Sequence, residues 1–383
     1  MHGLRHLVAV VAIGLTGWAA ALAARAAHWP QTFTAPPLAP RCTGTPLYDL
    51  RVLRSAAPRL AHATSAIVLR DGRLRAYWYE GGSEVGSDVA IWSADFDGTS
   101  WSEARTVIDI AGTAQATGRH IKSLGNPTIY RDASGALVLV YVSVGLGRWS
   151  GSSLNIMHSR DEGENWSTPR RLLTTPTFNL STLVRSPAVP MADGFTLLPV
   201  YQEFLARFSE ALLLDPNGAV AGRRRIANVH GTIQPLVIVT GEREAIAFSR
   251  IGDRSGKLLI SRTQDAGQSW TSQPSSLPNH DKPVAGTRLD SGALLVIHNT
   301  PEGNQPNGPF AFSLSDDGGT SWRSIGRLTH DRGGGIIQYP WLTVGADGTY
   351  HLMFTHSLAQ GSELLHLRFN RDWIAQQGGP PCR

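Results

Sequence analysis

Glu84, Asp88 and Glu203 lie in segments that follow apolar runs, where loops carry functional groups. Two carboxylates brought together can act as an acid and a base, or as an acid and a nucleophile, in a hydrolytic reaction. Arg185 and Arg250 offer positive charge that can hold an anion. Tyr201 and Tyr339 carry phenolic hydroxyls, and Asn126, Gln234 and Asn299 carry amides; both kinds of group can orient a polyhydroxyl ligand. His62 has an ordinary pKa near neutrality, so it is a candidate acid–base group. The 13 His are scattered, with no His-x₃-His or Cys-rich metal spacing. Gly333-Gly334-Gly335 leads into Ile336-Ile337 and reads as a loop, not a phosphate cradle. No metal or other cofactor is expected.

These residues are far apart in sequence, and a repeat is what would bring them together. A strand, a tight polar turn and a second strand recur six times, with turn glycines at Gly72, Gly135, Gly194, Gly241, Gly292 and Gly348. Apolar runs on both sides of a glycine turn signal a hairpin. A second unit, Ser/Thr-x-Asp-x-Gly-x-Ser/Thr-Trp, alternates with the first. Thr263–Trp270 and Ser315–Trp322 match it fully. Ser159–Trp166 matches with Asn165 in the hydroxyl position, Asp95–Trp101 is a degraded copy, and Asp215-Pro216-Asn217-Gly218 is a bare turn. The Asp accepts turn amides, the Gly supplies an unusual φ and the Trp packs below, so these residues read as scaffold. Six copies at four-strand spacing predict an all-β, six-bladed β-propeller. Both kinds of turn would share its lower face. The entry to each first strand and the loop after each second strand would share the upper face, where the candidate residues fall.

The second unit is an Asp box, and with six blades the chain resembles the sialidase superfamily, in particular the BNR-repeat proteins. The resemblance spans about Ala61 to Asn370. It implies a glycan as partner, three arginines holding a carboxylate, a carboxylic acid–base in the blade-one loop, and a tyrosine nucleophile assisted by a glutamate. Arg250 matches the second arginine, Tyr339 the nucleophile, and Glu84 or Asp88 the acid–base. His62 stands where the first arginine is expected and Gln234 where the glutamate is expected; an amide cannot act as a base. Asn299 is nearest to the third arginine. A different assignment uses the residues present: Glu203 and Glu84 as paired carboxylates, His62 as an acid–base, and Arg185 as a substitute anion binder. The functional expectation is an exported, sialidase-like glycoside hydrolase. The alternatives are a non-catalytic glycan-binding propeller and a lyase acting on uronates.

Length and composition fit this reading. The 383 residues include 42% hydrophobic and 17% charged residues, 40 Gly, 23 Pro and 11 Trp, which suits many turns and short strands. A net charge of +5, with no basic run longer than Arg223–Arg225, argues against a nucleic-acid partner. Arg5 and Arg25 flank an apolar run, Leu7–Ala24, that reads as a signal peptide or a signal-anchor helix. The expected organisation is therefore an export or anchor segment over 1–27, a linker and closing strand over 28–60, and the propeller over 61–383. The mature part would be periplasmic or extracellular, monomeric, and in contact with a membrane only through the first segment. Cys42 and Cys382 are the only two cysteines, and in an exported chain they are expected to pair.

Overall fold

The computed structural model describes residues 29–34, 42–174, 179–252, 255–302, 308–328 and 334–382. The apolar run Leu7–Ala24 lies outside the described residues. Among the described residues no helix is long and apolar enough to cross a membrane.

Six antiparallel sheets follow one another around a ring. Their inner strands are Leu60–Val68, Ser123–Arg131, Thr182–Val184 with Val189–Pro190, Thr232–Val239, Ala285–Arg288 and Ile336–Val344. Successive inner strands neighbour one another around the ring. Five sheets are built from consecutive strands. The sixth takes its outer strand, Tyr48–Ser55, from the other end of the chain, where it pairs with Ser362–Phe369. The all-β, six-bladed propeller expected from the repeat is what forms. The second strand of each blade is buried on both faces and reads as a continuous apolar run, as in Leu137–Val144, whereas outermost strands such as Arg105–Asp109 are largely exposed. The core lies between blades: Phe310 and Phe312 of blade five pack against Phe354 and Phe369 of blade six.

The Asp boxes are hydrogen-bonded turns. In the second, fourth and fifth blades the leading hydroxyl (Ser159, Thr263, Ser315) donates to the box Asp and accepts from the Gly amide at 2.7–2.9 Å. The same Asp accepts the amide of Asn165, Ser269 or Ser321. In the degraded blade-one copy Asp97 takes this part, accepting the amides of Thr99 and Ser100. Asp95 instead pairs with Arg73 and the fully buried Arg75. Arg75 also reaches Glu164 in the next blade's box, and Arg70 reaches Glu162 there, so the lower faces of blades one and two are stapled together.

Two terminal segments complete the ring. Cys42 and Cys382 are paired, with Cα atoms 5.6 Å apart. Trp29 and Phe33 are buried against lower-face turns of blades three and four. The Trp29 indole donates to the Ala266 carbonyl, and the Phe33 amide to Glu242.

Candidate functional site

The inner strands are not regular. In blades one, two, four and six the pairing shifts register between His62/Ser65, Gly125/Thr128, Ile233/Leu236 and Gln338/Trp341. Each shift carries one residue in the left-handed region: Ala63 (φ 54°), Asn126 (41°), Gln234 (52°) and Tyr339 (58°). An extra residue of this kind is a β-bulge, which bends the strand and re-aims a side chain. A non-glycine residue there is strained and persists only where surrounding structure enforces it. Three of these residues precede a proline (Pro127, Pro235, Pro340), which cannot donate to the ladder and is at home in a bulge.

The bulges place Asn126, Gln234 and Tyr339 on one cleft of about 420 Å³ at the upper mouth of the ring. Glu84 joins from blade one, Arg148 and Trp149 from blade two, Tyr201, Glu203 and Arg207 from blade three, and Arg250 from blade four. At its floor the Tyr201 hydroxyl accepts from the Asn126 amide (3.3 Å) and the Gln234 amide (3.2 Å). The Gln234 carbonyl accepts from Arg250 (2.9 Å), which fixes that amide's orientation. With both lone pairs engaged, the Tyr201 hydrogen is left to donate to a ligand. Burial pushes the Tyr201 phenol well above its usual range, so it stays protonated.

Arg250 is committed before any ligand arrives. Its Nε donates to Asp281 (2.7 Å), which also faces Arg207 at 3.6 Å. Burial would loosen the Arg250 proton, but Tyr339 and Asp281 hold it more tightly than usual. Glu203 is in the opposite condition. Among the described residues its carboxylate makes no hydrogen bond or ion pair. Burial pushes its pKa above the ordinary carboxylate range, with the charges of Asp281 and Glu84 adding to the rise and Arg207 and Arg250 opposing it. The cleft therefore holds a carboxyl that keeps its proton to higher pH than an ordinary one.

Four expected site residues do not line the cleft. His62 is buried with its ring 4.2 Å from that of Tyr339. Burial, then Arg185 and Lys282, pull its pKa to about 3, so it is a neutral prop and not an acid–base at neutral pH. Arg185 lies under the same tyrosine, donating to the Tyr339 and Pro340 carbonyls, with its guanidinium 5.4 Å from the ring centre. It supports the bulge and does not face the cleft. Asp88 folds back on its own loop, accepting the Gly82 amide and pairing with Arg59 at 3.0 Å. Asn299 is buried, donating to the Gly308 and Ile337 carbonyls between blades five and six. Trp149 and Arg207 were not among the expected residues. Both sit in upper-face loops, and their only sequence signal was their place after a second strand.

The comparisons agree with this architecture. The BNR repeat-like domain model matches residues 72–352, and the chain belongs to that family. Structural similarity extends to a Dyadobacter fermentans protein of unknown function (TM-score 0.68, 14% identity), over 88% of this chain and all of that one. It also extends to the Hadza microbial sialidase Hz136 (TM-score 0.65, 16% identity), over 82% of this chain and 66% of that one. The Trypanosoma rangeli sialidase superposes with TM-score 0.65 at 13% identity, over 90% of this chain and 60% of its own. The chain thus spans about two thirds or less of these two sialidases. By sequence, no curated protein matches the chain.

Proposed function

We propose that the protein is an exported glycoside hydrolase of the sialidase fold, acting on a polar glycan through Glu203 and Glu84. The observation that carries this reading is Glu203: a half-buried carboxyl in the axial cleft, without a side-chain partner among the described residues, raised by burial and then by the charges of Asp281 and Glu84 against those of Arg207 and Arg250. Glu203 is assigned as the general acid and Glu84 as the second acidic group of the pair. Trp149 offers an aromatic face to a sugar ring, and Tyr201 a hydroxyl donor. Tyr339 is placed to contact the sugar, but Gln234 stands where the resemblance would put the glutamate that activates it. Arg250 is already paired with Asp281, and neither Arg185 nor Asn299 faces the cleft. Among the described residues the positions that the resemblance assigns to a carboxylate clamp do not supply three cleft-facing arginines, which favours a polar glycan held through the other cleft groups, Arg148 and Arg207 included. Export through residues 1–27 and an oxidised Cys42–Cys382 pair belong to the same proposal.

The same pairing of Arg250 with Asp281 and Gln234 favours a second reading, a glycan-binding propeller without turnover. A screen of glycan binding and hydrolysis, with sialosides, neutral oligosaccharides and uronate-containing oligosaccharides, separates the two. A new reducing end supports hydrolysis. Binding without products supports the second reading, and an unsaturated sugar absorbing in the ultraviolet identifies a lyase. No binding to any glycan would overturn the carbohydrate assignment.

A further inference from the structure

The two loops that wall the cleft carry an unexplained feature. Residues 145–151 contribute Arg148, Trp149 and Ser150 to the lining, and residues 203–207 contribute Glu203 and Arg207. Between these inward-facing groups the same loops present Leu146, Phe204 and Leu205 to solvent, at 84%, 58% and 91% exposure. Large apolar side chains so exposed on loops that line one mouth point to a contact surface. Beside them lies a groove of about 500 Å³ that includes Leu146, Ile121 and Leu180, with Arg119 and His120 at its edge. Exposed cations accompany them: Arg148 and Arg207 on the same two loops, Arg119 in the groove lining, and Lys122. The Lys122 ammonium donates to the carbonyl of Gly147, in the loop that carries Leu146, at 3.3 Å.

Exposed apolar side chains on loops that also carry exposed cations match an anionic lipid surface, where the tips enter the acyl boundary and the cations meet the headgroups. We infer that the rim formed by residues 145–148 and 204–207 docks on an anionic bilayer, bringing the cleft against glycans displayed at that surface. The docking is argued from the rim alone; its purpose rests on the glycan reading of the cleft.

The test uses the full chain carrying an environment-sensitive fluorophore on a single introduced cysteine, Leu205→Cys at the rim or Ser134→Cys on the lower face. Vesicles of phosphatidylcholine and phosphatidylglycerol at three to one should shift the emission at position 205 to the blue and raise it at least two-fold. Position 134 should not respond. Arg148→Glu combined with Arg207→Glu, or 0.5 M salt, should remove most of the rise at 205. No response at 205 overturns the inference, as does an equal response at both positions, which would mean attachment through another part of the chain. An equal response to pure phosphatidylcholine overturns the assignment to anionic lipid. No glycan enters the assay, so its outcome is independent of the hydrolysis screen.

Discussion

The proposed hydrolysis gives Glu203 and Glu84 separate parts in the cleft. Glu203→Gln is expected to lower glycan turnover by about 10²–10⁴-fold, the usual contribution of a positioned acid or base, with Glu84→Gln lowering it as well. Initial rates on the best glycan of the screen check this; unchanged rates in both variants remove the paired-carboxylate mechanism. Burial raises the Glu203 pKa, so its acid form persists to higher pH than that of an ordinary carboxyl. The rate should therefore fall as pH rises through that raised value, and Glu203→Gln should abolish this limb of the profile. Residue types and repeat register were enough to predict that Glu84, Asn126, Tyr201, Glu203, Gln234, Arg250 and Tyr339 share one face. They could not say that His62 and Arg185 lie beneath Tyr339. That depends on which way a bulge turns a side chain, and alternation along a strand carries no such information.

At the scale of elements, the Asp-box hydroxyl and the inner-strand bulge are the devices that make the propeller specific. Ser315→Ala removes the acceptor for the Gly319 amide and a donor to Asp317. Leaving a buried amide unmet should cost about 1–3 kcal/mol, measured as a lower midpoint in urea. The boxes were legible because every position in them is chemically restricted. The bulges were legible in principle, since Asn126-Pro127, Gln234-Pro235 and Tyr339-Pro340 repeat a residue–proline pair at the same blade position. Blade six adds a pH response. His351 and His366 face each other across adjacent strands, ring nitrogens 3.0 Å apart. Burial lowers His351 to about 4 and His366 further, with the neighbouring His adding to the effect on His366. An unfolded chain takes up these protons near pH 6.5, so between there and about 4 it binds more protons than the folded one. Thermal stability should be full above about pH 6.5 and fall as pH drops toward 4. His366→Asn should flatten that slope; an unaltered slope would assign the acid lability elsewhere.

For the molecule as a whole, the ring closes by borrowing. Strand Tyr48–Ser55 fills the outer edge of blade six, and Cys42 meets Cys382 just outside it. A cross-link over a sequence separation of 340 restricts the unfolded chain strongly. Cys42→Ser is expected to lower stability by up to about 5 kcal/mol, read as a shifted denaturant midpoint that reducing agent reproduces in the parent protein. The blade count was legible because six hairpins and the box spacing agree. The identity of the closing strand was less so, because a single edge strand carries no repeat of its own. The clasp of Trp29 and Phe33 on the turns of blades three and four sets a polarity on the particle. Trp29 and Phe33 occupy the side opposite the cleft, so the upper mouth stays clear of this segment and a large ligand can reach it unobstructed by it.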